Sequence, residues 1–201
     1  MPDNTQTRMV HIQPPIIPLI SELIDQNPGT ISLGQGVVHF GPPADVLEAV
    51  KAFWKDPINH QYGPIEGNES LRLQIADKLR LENRLQTDDL AIVVTAGSNM
   101  AFFNAILAIT EPGDEIIIPS PFYFNQEMAV LTAGCRPVTV PVDQFYLPDP
   151  GLVESAISLR TRAIVTISPN NPTGVVYPDC LLDELNRICS RHGIYHISDE
   201  A

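Results

Sequence analysis

Four short segments of this 201-residue chain carry polar or aromatic side chains that could bind a ligand. They are Gly97-Ser98-Asn99, the aromatic run around Tyr123, the loop 168–174 (SPNNPTG) and the tripeptide Ser198-Asp199-Glu200. Each follows a short apolar run of the kind that forms a buried strand. Because ligands in open parallel sheets sit outside the carboxyl ends of the strands, the four segments are predicted to share one site.

The first segment has the chemistry of an anion site. Gly97 permits a tight turn, and the N–H groups after it would open a helix whose N-terminus attracts negative charge. The alternative is that Ser98 or Asn99 only caps the helix with its side chain.

The other three segments suit a flat, charged heteroaromatic ring. One of the aromatic residues Phe122, Tyr123 and Phe124 could stack on such a ring, although aromatic side chains are more often part of a core. A side-chain amide fixed in the proline-rich loop 168–174 could donate to a ring hydroxyl, or the loop could be a plain turn. Asp199, at a buried strand end, needs a cationic partner such as a protonated pyridine nitrogen. A metal-binding or helix-capping role for this acid is the alternative, but His196 and Asp199 alone are too few ligands for a metal site.

The periodicity of the chain predicts an α/β fold. Strands are predicted at 91–94, 115–118, 136–140, 162–167 and 194–197. Helices are predicted at 16–25, 44–54, 67–83, 99–110, 123–132, 150–158 and 179–191. This alternation favours a mostly parallel sheet that is covered by helices on both faces.

Composition narrows the class of protein. A net charge of −12 disfavours nucleic acid and anionic membranes as partners. The sequence shows no apolar run long enough to span a membrane and no export signal, so we expect a cytoplasmic protein. Its three cysteines form no CxxC pair, which favours reduced thiols.

The order of the motifs resembles the N-terminal half of the class I/II aminotransferases, fold-type I enzymes that depend on pyridoxal 5′-phosphate (PLP). The motifs are YGPIEGNESLR, VVTAGSNMA, PGDEIIIPSPFYF, SPNNPTG and SDEA, and the resemblance covers about residues 15–201. It implies a three-layer αβα large domain with an incomplete mixed sheet and an N-terminal arm. Residues 1–43 would form the arm and part of a small domain, and 44–201 would form part of the PLP-binding domain.

The resemblance also implies roles for individual residues. Gly97, Ser98 and Asn99 would hold the cofactor phosphate. Tyr123 would stack on the pyridine ring, Asn171 would bond its O3′ oxygen, and Asp199 would pair with the ring nitrogen. The Asn171–Pro172 bond is expected to be cis.

Two further positions enter through the resemblance alone. Tyr62 resembles the tyrosine that reaches the phosphate of the neighbouring subunit, which implies a homodimer. Gly36 resembles the glycine near the substrate carboxylate. The substrates implied are an amino acid and a 2-oxo acid.

The covalent chemistry of the family requires a lysine that none of the motifs here contains. The sequence has three lysines, Lys51, Lys55 and Lys78, all in predicted N-terminal helices. The family's strand order, 3-2-4-5-6-7-1, would leave the 91–94 strand without neighbours, because strands 6 and 7 are missing. We therefore expect a truncated chain with no catalytic residue of its own, unstable and inactive alone.

Two alternatives remain compatible with the same motifs. The chain could be a non-catalytic PLP-fold module that binds the cofactor or dimerises with a complete relative. It could also derive from a PLP-dependent C–S lyase or an aminocyclopropane-carboxylate synthase on the same fold.

Overall fold

The computed structural model describes residues 8–14, 16–34 and 38–201. Contacts divide the chain into two compact units, one of residues 14–94 and one of residues 1–13 with 95–201. The domain division predicted after residue 43 stays a prediction. Within the described ranges, none of the helices has the length and apolar character that a membrane span requires.

The unit of residues 14–94 is helical. It contains α1 (Ile16–Gln26), α2 (Ala44–Phe53) and α3 (Glu69–Glu82), with a short 3-10 helix at Pro57–His60 between α2 and α3. Helix α3 begins after Asn68, whose side chain accepts a hydrogen bond from the Ser70 N–H at 2.9 Å and caps the first turn.

The second unit contains a four-stranded parallel sheet. Its strands are β1 (Glu115–Ser120), β2 (Arg136–Pro141), β3 (Thr161–Ile167) and β4 (Tyr195–Asp199), in the order β2-β1-β3-β4. Its α-helices are α4 (Ser98–Ile109), α5 (Phe124–Thr132), α6 (Pro150–Ser155) and α7 (Asp179–His192), and a 3-10 helix spans Arg8–His11. In the expected topology the 91–94 segment is strand 1, so β1 to β4 correspond to strands 2 to 5. The observed order therefore agrees with the 3-2-4-5 portion of that topology.

Alternating side chains of the central strands build a core on each face of the sheet. Ile116 and Ile118 pack with residues of α4 and α5, whereas Ile117 packs with residues of α6 and α7. Both faces of β1 and β3 are therefore apolar, as the near-continuous runs of Ile and Val require. This arrangement confirms the three-layer αβα prediction.

One predicted strand is absent. Residues 91–94 have no strand partner in the described chain, and the Val94 N–H donates instead to the Glu66 carbonyl at 2.9 Å. The apolar pattern was strand-like, but an isolated extended segment cannot satisfy the hydrogen bonds of a ladder. The prediction of a strand here was wrong for this chain.

Ion pairs hold the amino ends of the strands. Asp114 accepts from Arg162 at 2.8 Å, and the buried Glu115 accepts from the Ser158 hydroxyl at 2.7 Å and pairs with Arg136. The hydrogen bond from Arg162 lowers the pKa of Asp114, and that from Ser158 lowers the pKa of Glu115. Charged donors thus compensate two carboxylates that folding removes from water.

We expect Asp114→Asn to lower the free energy of unfolding by about 1 kcal/mol near neutral pH, because it removes the charge that Arg162 bonds. Since folding lowers the pKa of Asp114, this stabilisation is present above its usual value of 3.8 and is lost as pH falls below that value. Urea unfolding at several pH values measures the difference. Glu127→Gln is the control, because Glu127 pairs with no described residue. A difference that does not change with pH would contradict the assignment.

The turn before α4 depends on glycine. Gly97 has φ 88° and ψ 165°, a conformation that is open almost only to glycine, and a Cβ there would meet no atom within 4 Å. We expect Gly97→Ala to cost about 1–3 kcal/mol through backbone strain alone. Gly41→Ala is the control, since a Cβ there also enters open space without a left-handed φ. Equal urea midpoints for the two variants would show that the turn is not strained.

The three cysteines should differ sharply in reactivity. Burial raises the pKa of Cys189 to about 11, Cys135 is also buried, and Cys180 is exposed. At about pH 8, near the usual thiol pKa, we expect an alkylating reagent to modify Cys180 quickly and Cys189 only after unfolding. Mass spectrometry of labelled peptides measures this, with Cys180→Ser as the control that removes the fast phase. Fast labelling of Cys189 would contradict the packing of α7.

Candidate functional site

The carboxyl end of β4 and the N-terminus of α4 line one open pocket of about 310 Å³. Ser98 and Ala101 come from α4, and Ile197 and Asp199 come from β4. Two of the predicted site residues, Ser98 and Asp199, are therefore brought together from positions about a hundred residues apart in the chain.

The N-terminus of α4 offers free hydrogen-bond donors. The first bond within the helix runs from the Ala101 N–H to the Gly97 carbonyl at 3.2 Å, so the N–H groups of Ser98 and Asn99 have no partner within the helix. No side chain of the described residues caps this end. The alternative in which Ser98 or Asn99 caps the helix is therefore wrong, and the donors are available to an anion.

The loop after β3 is held by its own side chains. Asn170 is buried, and its Oδ1 accepts from the Thr173 N–H at 3.2 Å and from the Thr173 hydroxyl at 2.8 Å. The Ser168 N–H donates to the Asp199 carbonyl at 3.1 Å, which ties the loop to the end of β4. These bonds leave the neighbouring Asn171 exposed, and the expected cis Asn171–Pro172 bond is present.

Asp199 ends β4 and is only partly exposed. Its Oδ2 accepts from the Gln126 side-chain amide at 2.9 Å, and its Oδ1 accepts from the Ala201 N–H at 3.2 Å. Asp199 makes no ion pair with any described residue. A carboxylate that is held by neutral donors can still accept a cationic partner.

Tyr123 lies directly before α5. Its ring contacts Phe124 edge to face, with centroids 5.1 Å apart, and its hydroxyl accepts from the Asn125 side chain at 2.6 Å. Tyr123 is half-buried and is not among the residues that line the pocket of Ser98 and Asp199. Its predicted stacking role stays a prediction.

The two positions that entered through resemblance alone lie elsewhere. Tyr62 belongs to the unit of residues 14–94, where its side chain is fully exposed. Gly36 lies outside the described residues. The roles proposed for Tyr62 and Gly36 stay predictions.

His196 is bound to a neighbouring strand. Its Nε2 lies 3.0 Å from the Thr166 hydroxyl, and burial lowers its pKa, so the neutral ring is favoured. In the part of the chain that the structure describes, no three His, Cys, Asp or Glu side chains cluster as metal ligands would. The arrangement offers no metal-based explanation for Asp199.

The residues present fit a phosphate-bearing pyridine. The helix N-terminus suits a phosphate, and the exposed amide of Asn171 suits a ring oxygen. The carboxylate of Asp199, which forms no ion pair with a described residue, suits a protonated ring nitrogen. Asn171 and Asp199 belong to segments joined by the bond between Ser168 and Asp199. These groups can bind and orient such a ligand without a metal ion.

Sequence reasoning missed Gln126 and Asn170. Gln126 lies one turn before the buried Val130, so a polar residue falls on the inner face of α5. That mismatch with the helical pattern was a usable signal, because a buried amide requires a partner. Asn170 gave no such signal, since turn-forming segments are rich in asparagine whatever its role.

Comparison with known proteins agrees with this geometry. The family model described as aminotransferase class I and II matches residues 28–201. An aromatic aminotransferase of Arabidopsis thaliana is 36% identical over 92% of this chain and 48% of its own length. An aspartate/prephenate aminotransferase of Thermus thermophilus is 38% identical over 89% of this chain and 47% of its own length.

Solved structures extend the match to three dimensions. The structure of Thermus thermophilus aspartate aminotransferase with maleate superposes with a TM-score of 0.83 at 34% identity, covering 96% of this chain and 52% of that one. The chain thus spans about half the length of these relatives. Sequence and structure agree that this chain belongs to the class I and II aminotransferase family.

Proposed function

We propose that this chain supplies the cofactor-binding half of a PLP-dependent aminotransferase, which moves an amino group between an amino acid and a 2-oxo acid. Members of the class I and II family use PLP. The observation that carries the proposal is the pocket shared by Ser98 and Asp199, which combines a helix N-terminus with no side-chain cap and a carboxylate that forms no ion pair with any described residue.

Each group of the site has a task in this proposal. The N–H groups of Ser98 and Asn99 hold the phosphate, and Asn171 orients the ring through its oxygen. Asp199 keeps a proton on the ring nitrogen, because its negative charge stabilises the protonated ring. When bound, the cofactor supplies an electron sink for the carbanion that forms when an amino acid loses its α-proton.

The substrates and partners belong to the same proposal. The relatives are named for aspartate, prephenate and aromatic substrates, which supports an amino acid and a 2-oxo acid as the substrate pair. The proposal includes a homodimer, in which Tyr62 reaches the phosphate of the second subunit. It also includes a cytoplasmic location. The odd number of cysteines and the lack of a CxxC pair favour reduced thiols, which supports that location.

Cofactor binding tests the proposal directly. We expect the fraction of the purified chain that folds, as judged by circular dichroism, to retain PLP through gel filtration. It should show no covalent adduct after borohydride, since the three lysines lie in α2 and α3 or directly after α2. Asp199→Ala should weaken PLP binding at least about tenfold, because a charge-assisted bond to the ring nitrogen is lost. Absorbance of the retained cofactor measures both effects.

A matched aspartate serves as the control. Asp183 is an exposed residue of α7, and Asp183→Ala should leave PLP binding unchanged. Failure of the unmodified chain to retain PLP, or equal retention by the Asp199 variant, would contradict the proposed site. A reducible adduct that mapped to Lys51, Lys55 or Lys78 would overturn the noncovalent mode of binding.

A further inference from the structure

We infer that Gln126 is a positioning residue, which fixes the carboxylate of Asp199 in the orientation that a cationic ring nitrogen requires. The inference rests on the proposed function and adds a residue from outside the five motifs that led to it. Gln126 lies on α5, and Asp199 lies 73 residues later at the end of β4.

Gln126 is held almost entirely out of water. Only 2% of its surface is exposed, and its Nε2 donates to Asp199 Oδ2 at 2.9 Å. The residue follows the aromatic turn at Tyr123, whose carbonyl accepts the Gln126 N–H at 3.0 Å. Because packing fixes the glutamine, its amide has a fixed direction, and so has the oxygen that it bonds.

The orientation of the Gln126 side-chain amide satisfies the Asp199 carboxylate but not the amide's own oxygen, Oε1. Its Oε1 is buried and has no hydrogen-bond partner among the described residues. Turning the amide over would bring Oε1 against the Asp199 oxygen, two acceptors in contact, and would lose the bond. The side-chain hydrogen bond that this buried amide donates therefore runs to one distant carboxylate and fixes the direction of its Oδ2.

Charge explains why an amide is suited to this position. A lysine or arginine in the place of Gln126 would form an ion pair with Asp199 and compete with any cationic ligand. The neutral amide fixes Oδ2 and leaves the full negative charge of Asp199 in the pocket that Ser98 also lines. Positioning and charge are thereby separated between two side chains.

Two ligands and one nearly isosteric variant test the inference. The probes are PLP and an analogue in which a C–H replaces the ring nitrogen, and their dissociation constants are measured by fluorescence titration. The unmodified chain should bind PLP about tenfold more tightly than the analogue, because only PLP pairs with Asp199. Gln126→Met keeps the volume but not the bond, and it should weaken PLP binding about tenfold and leave the analogue unchanged.

The control separates positioning from packing. Val130→Ala removes buried side-chain volume from the same helix without touching Asp199, so it should keep the preference for PLP over the analogue. If circular dichroism shows that Gln126→Met does not fold, Gln126→Asn carries the test. Its amide is one methylene short of Asp199, and the same loss of preference is expected.

The possible outcomes test the positioning role of Gln126 separately from the proposed binding of PLP. A preference for PLP that survives in the Gln126 variant overturns the positioning role and leaves the proposed function intact. An unmodified chain that binds neither probe, or both equally, overturns the Asp199 contact and with it the inference. The positioning role of Gln126 is supported if the preference for PLP over the analogue is lost in the Gln126 variant and kept in Val130→Ala.

Discussion

The parallel pairing of β3 with β4 is the constraint on which the site depends. Its register places Ile167 opposite Asp199, so the two strands end at the same level. The loop that carries Asn171 and the acid that ends β4 therefore leave the sheet side by side, and the bond from the Ser168 N–H to the Asp199 carbonyl joins them. Helix α4 adds its free N–H groups at the pocket next to Asp199. The backbone of the sheet, more than any single side chain, decides which groups meet.

The carboxylates at the two ends of the sheet differ in whether a positively charged side chain pairs with them. At the amino end, Asp114 and Glu115 have their charges matched by arginines and a hydroxyl. At the carboxyl end, the donors to Asp199 among the described residues are neutral, and the buried Oε1 of Gln126 has no hydrogen-bond partner in the same part of the chain. Fully matched groups stabilise the fold, whereas unmatched groups retain the free energy that a ligand can recover. This asymmetry distinguishes the binding end of the molecule from its structural end.

Much of this architecture follows from local patterns. The helices from α1 to α7 lie within a few residues of their predicted positions, because amphipathic periodicity, Asp149 as a cap and Gly193 as a left-handed stop are all local signals. The segment 91–94 carried an equally good strand pattern, but a strand also needs a partner, which no local pattern supplies. For the same reason the sequence predicted Asp199 but not Gln126, since the bond between them joins distant parts of the chain.

The end of α7 has a consequence for how this segment can vary. Gly193 ends the helix at φ 64°, and β4 then begins at Tyr195 and ends at Asp199. Successive residues of a strand point to opposite faces, so one inserted residue between Gly193 and Asp199 would turn the acid away from α5. In related sequences the length of this interval should accordingly be more constant than the identity of its residues. A gap or insertion in this interval of a related sequence would indicate a protein in which the acid no longer faces α5.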